Sequence, residues 1–529
     1  MKVAAAAVAV ALAAPGVARA AGATLAMREV PLRGAHALAS AGTPRSFDLV
    51  GLHWRGPGSV SFSTRSLGGR WSPWHAAAPE AEDLPDGGSA EAARSRGWRL
   101  GNPYWTGPAN GIRYRLGGEV RRLRAYFVRS AAERIPLRRL SIAGSPAIIL
   151  RVGWSANERI RRAKPEYASA VHFALVHHTA GSNTYAPSQS AAIVRAIELY
   201  HVQGNGWNDI GYNFLVDKYG QIFEGRYGGI TRPVIGAHAQ GFNAGSVGVA
   251  LIGNYDARAP SAAAQKALAS LLAWRLDLAH VDPRSSLTWI SGGNPRFPAG
   301  TPVFLRAISG HRDTGFTECP GTALYRRLPA IAATVAASGL PKLYDPLAKG
   351  SIPGFVRFTG RLTAMLPWTV AITDSRGMAV ATGSGVGTAI DWTWDASTAP
   401  KGRYFYMIGA GPGVRAATGT IGAKPAPFKL TGLTADPNVV TPNGDGVADS
   451  STITYSVSAP AAVTATLIDA GGVTVATLFD GLVPAGPQAF IFYADAVPDG
   501  TYQIAVTATS SQGVQVSGSV FVTVTRAVP

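Results

Sequence analysis

The sequence predicts a multidomain chain: an all-β domain in front, a central α/β domain with a mixed sheet flanked by helices, and β-sandwiches behind. Three observations carry that prediction. Short apolar runs bounded by Gly and Pro fill the front of the chain. From about residue 150, near-continuous apolar strands alternate with stretches of helical period. After Pro341 the texture changes to Thr, Val, Gly and Ala in short alternating runs, and one segment repeats about a hundred residues later. A length of 529 residues suits about three or four domains, each with its own core.

Residues 1–22 read as a secretory signal peptide. Lys2 precedes an apolar run from Val3 to Ala14, then Pro15-Gly16 and the small-residue site Ala18-Arg19-Ala20. The run is too short to span a bilayer, and no later stretch is apolar enough, so no integral membrane segment is expected after cleavage. An exported chain with one cysteine has no intramolecular disulfide framework.

Residues 25–142 form the predicted N-terminal β domain, with strands at Phe47–Trp54, Ser59–Ser63, Gly111–Leu116 and Val120–Val128, and a polar loop over Ala76–Gly97. Trp54, Trp71, Trp74, Trp98 and Trp105 suit a buried sandwich better than a sugar-stacking face. The net charge of +18 is uneven: Arg113, Arg115, Arg121, Arg122, Arg124 and Arg129 crowd this domain, whereas Leu430 to Thr525 holds no Lys or Arg. Such a face is either merely solvated or a site for anionic wall polymers or lipid headgroups. Nucleic acid is not expected, because no nucleic-acid-binding motif is present and the chain is exported.

Residues 148–337 form the predicted α/β domain. Val171–Val176 is a buried strand ending in His177-His178-Thr179, and a helix after Pro187-Ser188 carries Ile193, Ile197 and Tyr200. Lys218-Tyr219-Gly220 turns a hairpin, Ser246–Ile252 is a further strand, and a long helix occupies 261–280. Arg306–Ser309 leads directly into His311. Behind lie two sandwich-sized modules, 350–424 and 428–526. Val370–Thr382 recurs as Ala465–Thr477, and Lys401-Gly402-Arg403-Tyr404 as Asp499-Gly500-Thr501-Tyr502. Asn443, Asp445 and Asp449 resemble part of a calcium loop, but the terminal Glu is missing and a plain Asn-Gly/Asp-Gly turn is expected.

The chemistry gathers around Cys319. A lone cysteine is by default a small buried hydrophobe. This one sits in a polar, turn-forming stretch, His311 to Gly321, and seven of the ten histidines fall between His172 and His311. His177 and His178 are neighbours on a strand and point to opposite faces, so one of them can join His311 and Cys319. Two His and one Cys leave a fourth position open, the arrangement of catalytic rather than structural zinc.

Five motifs in order carry a family resemblance: Val176-His177-His178-Thr179-Ala180-Gly181, Gly206–Phe214, Gly236-Ala237-His238, Ser246-Val247-Gly248-Val249, and His311 with Thr317-Glu318-Cys319-Pro320-Gly321. Together they resemble the peptidoglycan recognition proteins and the zinc-dependent N-acetylmuramoyl-L-alanine amidases. The resemblance implies a Zn2+ site of His177, His311 and Cys319, and hydrolysis of the amide between muramic acid and L-alanine in peptidoglycan. A non-catalytic peptidoglycan-binding protein is the alternative. It also implies catalytic assistance from Tyr212 and Thr317, and substrate contact at Gly206, Trp207, Arg226, His201 and His238. Gly206-Trp207 with Arg226 implies diaminopimelate-type stems. A secreted, wall-associated enzyme follows. The last module resembles the immunoglobulin-like module of flagellar hook-capping proteins, which extends that architecture to both C-terminal modules.

Overall fold

A computed structural model describes residues 23–526 apart from 33–36, 40–42, 79–82, 132–138, 141–143, 423–426, 446 and 511–513. The expected signal peptide lies outside the described residues. The chain divides into two compact units, Met1–Gly339 and Leu340–Pro529. Among the described residues no helix is long and apolar enough to cross a membrane.

The first unit is built on a mixed sheet of β1 (Arg139–Leu140), β2 (Ile148–Ile149), β3 (Phe173–His178), β4 (Phe214–Val216), β5 (Ile222–Glu224), β6 (Ser246–Leu251) and β7 (Ile308–Gly310). Their order across the sheet is β7-β3-β6-β4-β5-β2-β1. β3 runs parallel to both β6 and β7, and β4 and β5 form the antiparallel hairpin that the Lys218-Tyr219-Gly220 turn predicts. Every residue of β3 and β6 is buried. Helices cover both faces, which is why these strands read as continuous apolar runs instead of alternating ones. On one face lies α1 (Ser190–Leu199), with Ile193, Ala196 and Ile197 in the core. On the other lie α2 (Ala262–Asp277) and α3 (Leu328–Ala336), contributing Leu268, Leu271, Leu272, Ile331 and Val335. Ser261 caps α2 by accepting the Ala264 amide at 3.1 Å.

The N-terminal β region is an eight-stranded sheet whose long members are Phe47–Arg55, Ser59–Ser66, Tyr104–Gly117 and Arg122–Arg129. It is not self-contained. Leu49, Trp105, Tyr126 and Val128 belong to the same core cluster as Ile193, Ile197 and Tyr200 around α1. Tyr200 donates from its hydroxyl to the Gly101 carbonyl at 2.6 Å, and His53 Nε2 meets Asn205 Oδ1 at 2.9 Å. Gly51 is required at this contact, because a Cβ there would lie 2.1 Å from the Tyr200 ring. The tryptophans divide. Trp54 and Trp105 are buried, while Trp71, Trp74 and Trp98 lie under guanidinium groups. Arg113 stands 4.5 Å over Trp71, Arg115 4.0 Å over Trp74 and Arg124 4.1 Å over Trp98.

The second unit holds two β modules, each with its own core. The first is one five-stranded sheet dominated by two long strands, Phe355–Thr373 and Ala379–Asp395. The second stacks a three-stranded and a five-stranded sheet over a shared core. The repeated segments share local structure though the two modules differ in sheet layout. Asp374 and Asp469 open matching turns, their amides donating to Met378 and Val473 carbonyls at 2.9 Å each. Tyr404 donates to the Pro400 carbonyl at 2.8 Å, and Tyr502 to the Pro498 carbonyl at 2.9 Å. In the 443–449 stretch the Asp449 carboxylate accepts the Asn443 and Gly444 amides, as a polar turn does.

Candidate metal centre and cleft

The centre forms at the carboxyl ends of neighbouring parallel strands, where open α/β sheets place ligands. His177 is the fifth residue of β3, and His311 directly follows β7, whose Gly310 pairs with Val176. The loop after His311 folds back so that the Arg312 amide donates to the Cys319 carbonyl at 2.8 Å. Asn294 Nδ2 braces the loop by donating to the Thr314 carbonyl at 2.8 Å. The His178 amide donates to Cys319 Sγ at 3.4 Å and fixes the sulfur beside β3.

The ligand atoms of His177, His311 and Cys319 all lie within 4.8 Å of one another. The residues are 0%, 1% and 0% exposed. His177 Nδ1 faces Cys319 Sγ at 3.7 Å, and its Nε2 meets His238 Nδ1 at 3.1 Å. A hydrogen bond from Nε2–H to His238 is the arrangement compatible with ligation through Nδ1, because that tautomer leaves the Nδ1 lone pair for a metal. Burial, and then the neighbouring His177, holds the His238 pKa well below the usual histidine value, so it accepts as a neutral ring. Two imidazoles and a thiol, buried and convergent, are a donor set that zinc takes. His178 turns the other way and accepts the Tyr255 amide at 3.1 Å.

Tyr212 reaches the same point, its ring 5.5 Å from that of His177. Thr317 is half-buried and accepts the Cys319 amide on Oγ1 at 3.1 Å, so it braces the ligand loop. His201 and Trp207 stand behind Tyr212. The His201 ring lies 4.4 Å from Trp207 and 5.8 Å from Tyr212, and its Nδ1 accepts the Gly211 amide at 3.1 Å. Burial pushes the His201 pKa down to about 3. Trp207 is 2% exposed, so its indole is a support for the cleft wall and is covered by neighbours. Arg226, also buried, is held by donating to the Ile210 and Ile235 carbonyls at 3.0 and 3.1 Å.

The sequence reading misses two features. Arg151 gathers Glu158, Glu198 and Asp209 at 2.7, 2.8 and 3.2 Å, and Asp209 in turn accepts the Tyr227 amide, which ties down the loop carrying Trp207. The second is a segment of the N-terminal region, Asp83 to Arg94. Asp83 Oδ1 lies 3.1 Å from His177 Nδ1 and 3.0 Å from His311 Nδ1, while its Oδ2 accepts the Tyr212 hydroxyl at 2.8 Å. Burial works to raise its pKa, but His311 and His177 together hold it well below the usual carboxylate range. Asp86 accepts the Gly241 amide and Asn243 Nδ2 at 2.7 and 2.8 Å. Glu91 pairs with Arg226 and accepts the Asn208 amide at 2.8 Å. Arg94 donates to the Gly206 carbonyl at 2.9 Å. A signal was available: Glu80, Glu82, Asp83, Asp86 and Glu91 form an acidic run inside a basic domain.

A family model described as N-acetylmuramoyl-L-alanine amidase matches residues 167–322. The chain is similar to peptidoglycan-recognition protein SC2 of Drosophila simulans, at 34% identity over 172 residues, covering 32% of this chain and 79% of that protein. It is similar as well to the N-acetylmuramoyl-L-alanine amidase of Sus scrofa, at 34% identity over 192 residues, covering 35% of this chain but 27% of the relative. A crystal structure of Drosophila peptidoglycan recognition protein SD aligns over 34% of this chain and 92% of its own, with 26% identity and a TM-score of 0.27.

Proposed function

Because this chain belongs to the N-acetylmuramoyl-L-alanine amidase family that includes the peptidoglycan-recognition proteins, we propose that it is a zinc-dependent hydrolase of peptidoglycan. Its reaction is cleavage of the amide between muramic acid and L-alanine. The observation that carries this reading is the convergence of His177, His311 and Cys319, with Tyr212 at the same point. Zinc, when bound, supplies Lewis acidity and brings the pKa of a water molecule to about 7.

The chain's own residues supply the rest. His238 keeps His177 in the ligating tautomer. The Tyr212 hydroxyl donates to an oxygen beside the ligands, as its bond to Asp83 illustrates. A scissile carbonyl oxygen in that position accepts the same bond, and the bond strengthens as negative charge develops. Thr317 holds the Cys319 backbone in place. Arg226, whose guanidinium already carries a carboxylate, suits the extra carboxylate of a diaminopimelate-type stem. His201 and Trp207 set the position of Tyr212 from behind. The leader-like residues 1–22 support export to the wall, and the stacked arginines of the N-terminal sheet suit anionic wall polymers. The two C-terminal modules act as spacers or wall attachments, the second with the two-sheet layout of an immunoglobulin-like module.

The test is release of stem peptide from purified peptidoglycan, followed by mass spectrometry, with and without chelator. It uses the native chain, Asp83→Ala and Cys319→Ser. Chelator-sensitive release by either of the first two, with Cys319→Ser lacking both zinc and activity, is expected. No release by any of them, with all three still pelleting with the wall, replaces hydrolysis by recognition.

A further inference from the structure

We propose that Asp83 is a fourth ligand of the metal, and that Asp83–Arg94 is an internal occupant of the stem-peptide cleft which substrate must displace. The identity of the cleft rests on the amidase reading. Its occupancy rests on contacts within this chain.

A loop that merely joined the N-terminal sheet to the central domain would bury apolar surface and pair backbone groups. This segment does something else, because its side chains end on functional groups. Asp83 meets both ligand imidazoles and Tyr212. Glu91 meets Arg226, the cation suited to a stem carboxylate. Arg94 meets the Gly206 carbonyl and Asn208 Oδ1, the latter at 2.7 Å. Asp86 fastens the segment to Asn243, which itself accepts the His238 amide at 2.7 Å. Asp83, Glu91 and Arg226 are 8%, 6% and 9% exposed, so little of the cleft floor is open to a second occupant.

The chemistry of these groups supports displacement as well as occupancy. Three protein ligands leave zinc an open position, whereas four close it. With Asp83 in the fourth place the centre is shut. The Glu91–Arg226 pair is buried, and a buried ion pair contributes little net stability once desolvation is counted. A carboxylate of the substrate therefore replaces Glu91 at small cost. A segment seated for all but about one part in a hundred lowers apparent substrate affinity about 100-fold.

Two titrations on the full-length chain test this. With cobalt(II) in place of zinc, azide is expected to leave the visible spectrum of the native chain unchanged and to shift that of Asp83→Ala. A soluble diaminopimelate-type muropeptide, titrated calorimetrically, is expected to bind Asp83→Ala and Glu91→Ala at least tenfold more tightly than the native chain. Azide shifting both spectra alike overturns ligation by Asp83. Affinities within twofold across the three proteins overturn the occupant. A chain that shows no thiolate-to-cobalt band sinks the zinc reading, and the muropeptide titration then decides occupancy alone. If Asp83→Ala passes both titrations yet releases no stem peptide, the amidase reading fails and the occupant stands.

Discussion

The N-terminal sheet and the C-terminal modules look alike in sequence, both rich in short alternating runs, yet they hold their chains together differently. The C-terminal modules each enclose a core of their own residues. The N-terminal sheet has a core of its own, but also gives Leu49, Trp105, Tyr126 and Val128 to a second core completed by α1 of the central domain. Strand periodicity reports which face of a sheet is buried. It does not report what buries it, and here that difference separates a module from an integral part of the candidate enzyme.

Deletions break or sharpen the comparison most strongly. Removal of 340–529 is expected to leave the metal content and the calorimetric transition of the first unit unchanged. Removal of 23–131 strips cover from α1, a loss of several large buried side chains at about 2–5 kcal/mol each. That protein is expected to aggregate or to bind a hydrophobic dye, and a sharp native transition would show that the sheet is dispensable after all.

Acidity separates the two units next. All ten histidines precede residue 340. His53, at the contact with Asn205, has its pKa pushed down to about 4 by burial, with the Asn205 hydrogen bond opposing. Its unfolded value is about 6.5. Between those values the unfolded chain binds the proton and the folded chain does not, so stability falls as pH drops through the window. The contribution is whole above pH 6.5, and about 3 kcal/mol of it is gone by pH 4. Denaturant unfolding at stepped pH is expected to show this fall in the first unit, with no histidine contribution in the second. A His53→Gln variant with an unchanged pH profile would remove His53 from the account.

The smallest effect tests single hydrogen bonds. Tyr200→Phe leaves the buried Gly101 carbonyl without its hydroxyl donor and is expected to cost about 1–3 kcal/mol in the first unit. Tyr404→Phe, at the part-buried Pro400 carbonyl, is expected to cost about 1 kcal/mol in the second unit and nothing in the first.

How much of this was legible in the sequence follows from what each residue is needed for. β3 and β6 stand out because both faces are covered, leaving apolar residues at nearly every position. His177, His311 and Cys319 stand out because metal ligation needs those particular side chains. The long strands Phe355–Thr373 and Ala379–Asp395 read instead as several short runs. Glycines interrupt their pattern: a Cβ at Gly383 would lie 2.2 Å from the Trp392 ring, and one at Gly385 2.4 Å from Trp368. Small residues there make room for large ones alongside, which a one-dimensional pattern cannot express. The Asp83–Arg94 segment was hidden for another reason. The acidic run marks the stretch, but carboxylates in a polar loop are ordinarily solvated, and nothing local tells which of them reaches a distant arginine.

The matching tyrosine links, Tyr404 to Pro400 and Tyr502 to Pro498, carry a consequence for how such a chain can change over generations. Each module closes its own core and fastens its own corner. Duplicating one therefore adds length without disturbing the core of either existing module. The tail can lengthen or shorten under selection while the His177–His311–Cys319 site stays as it is.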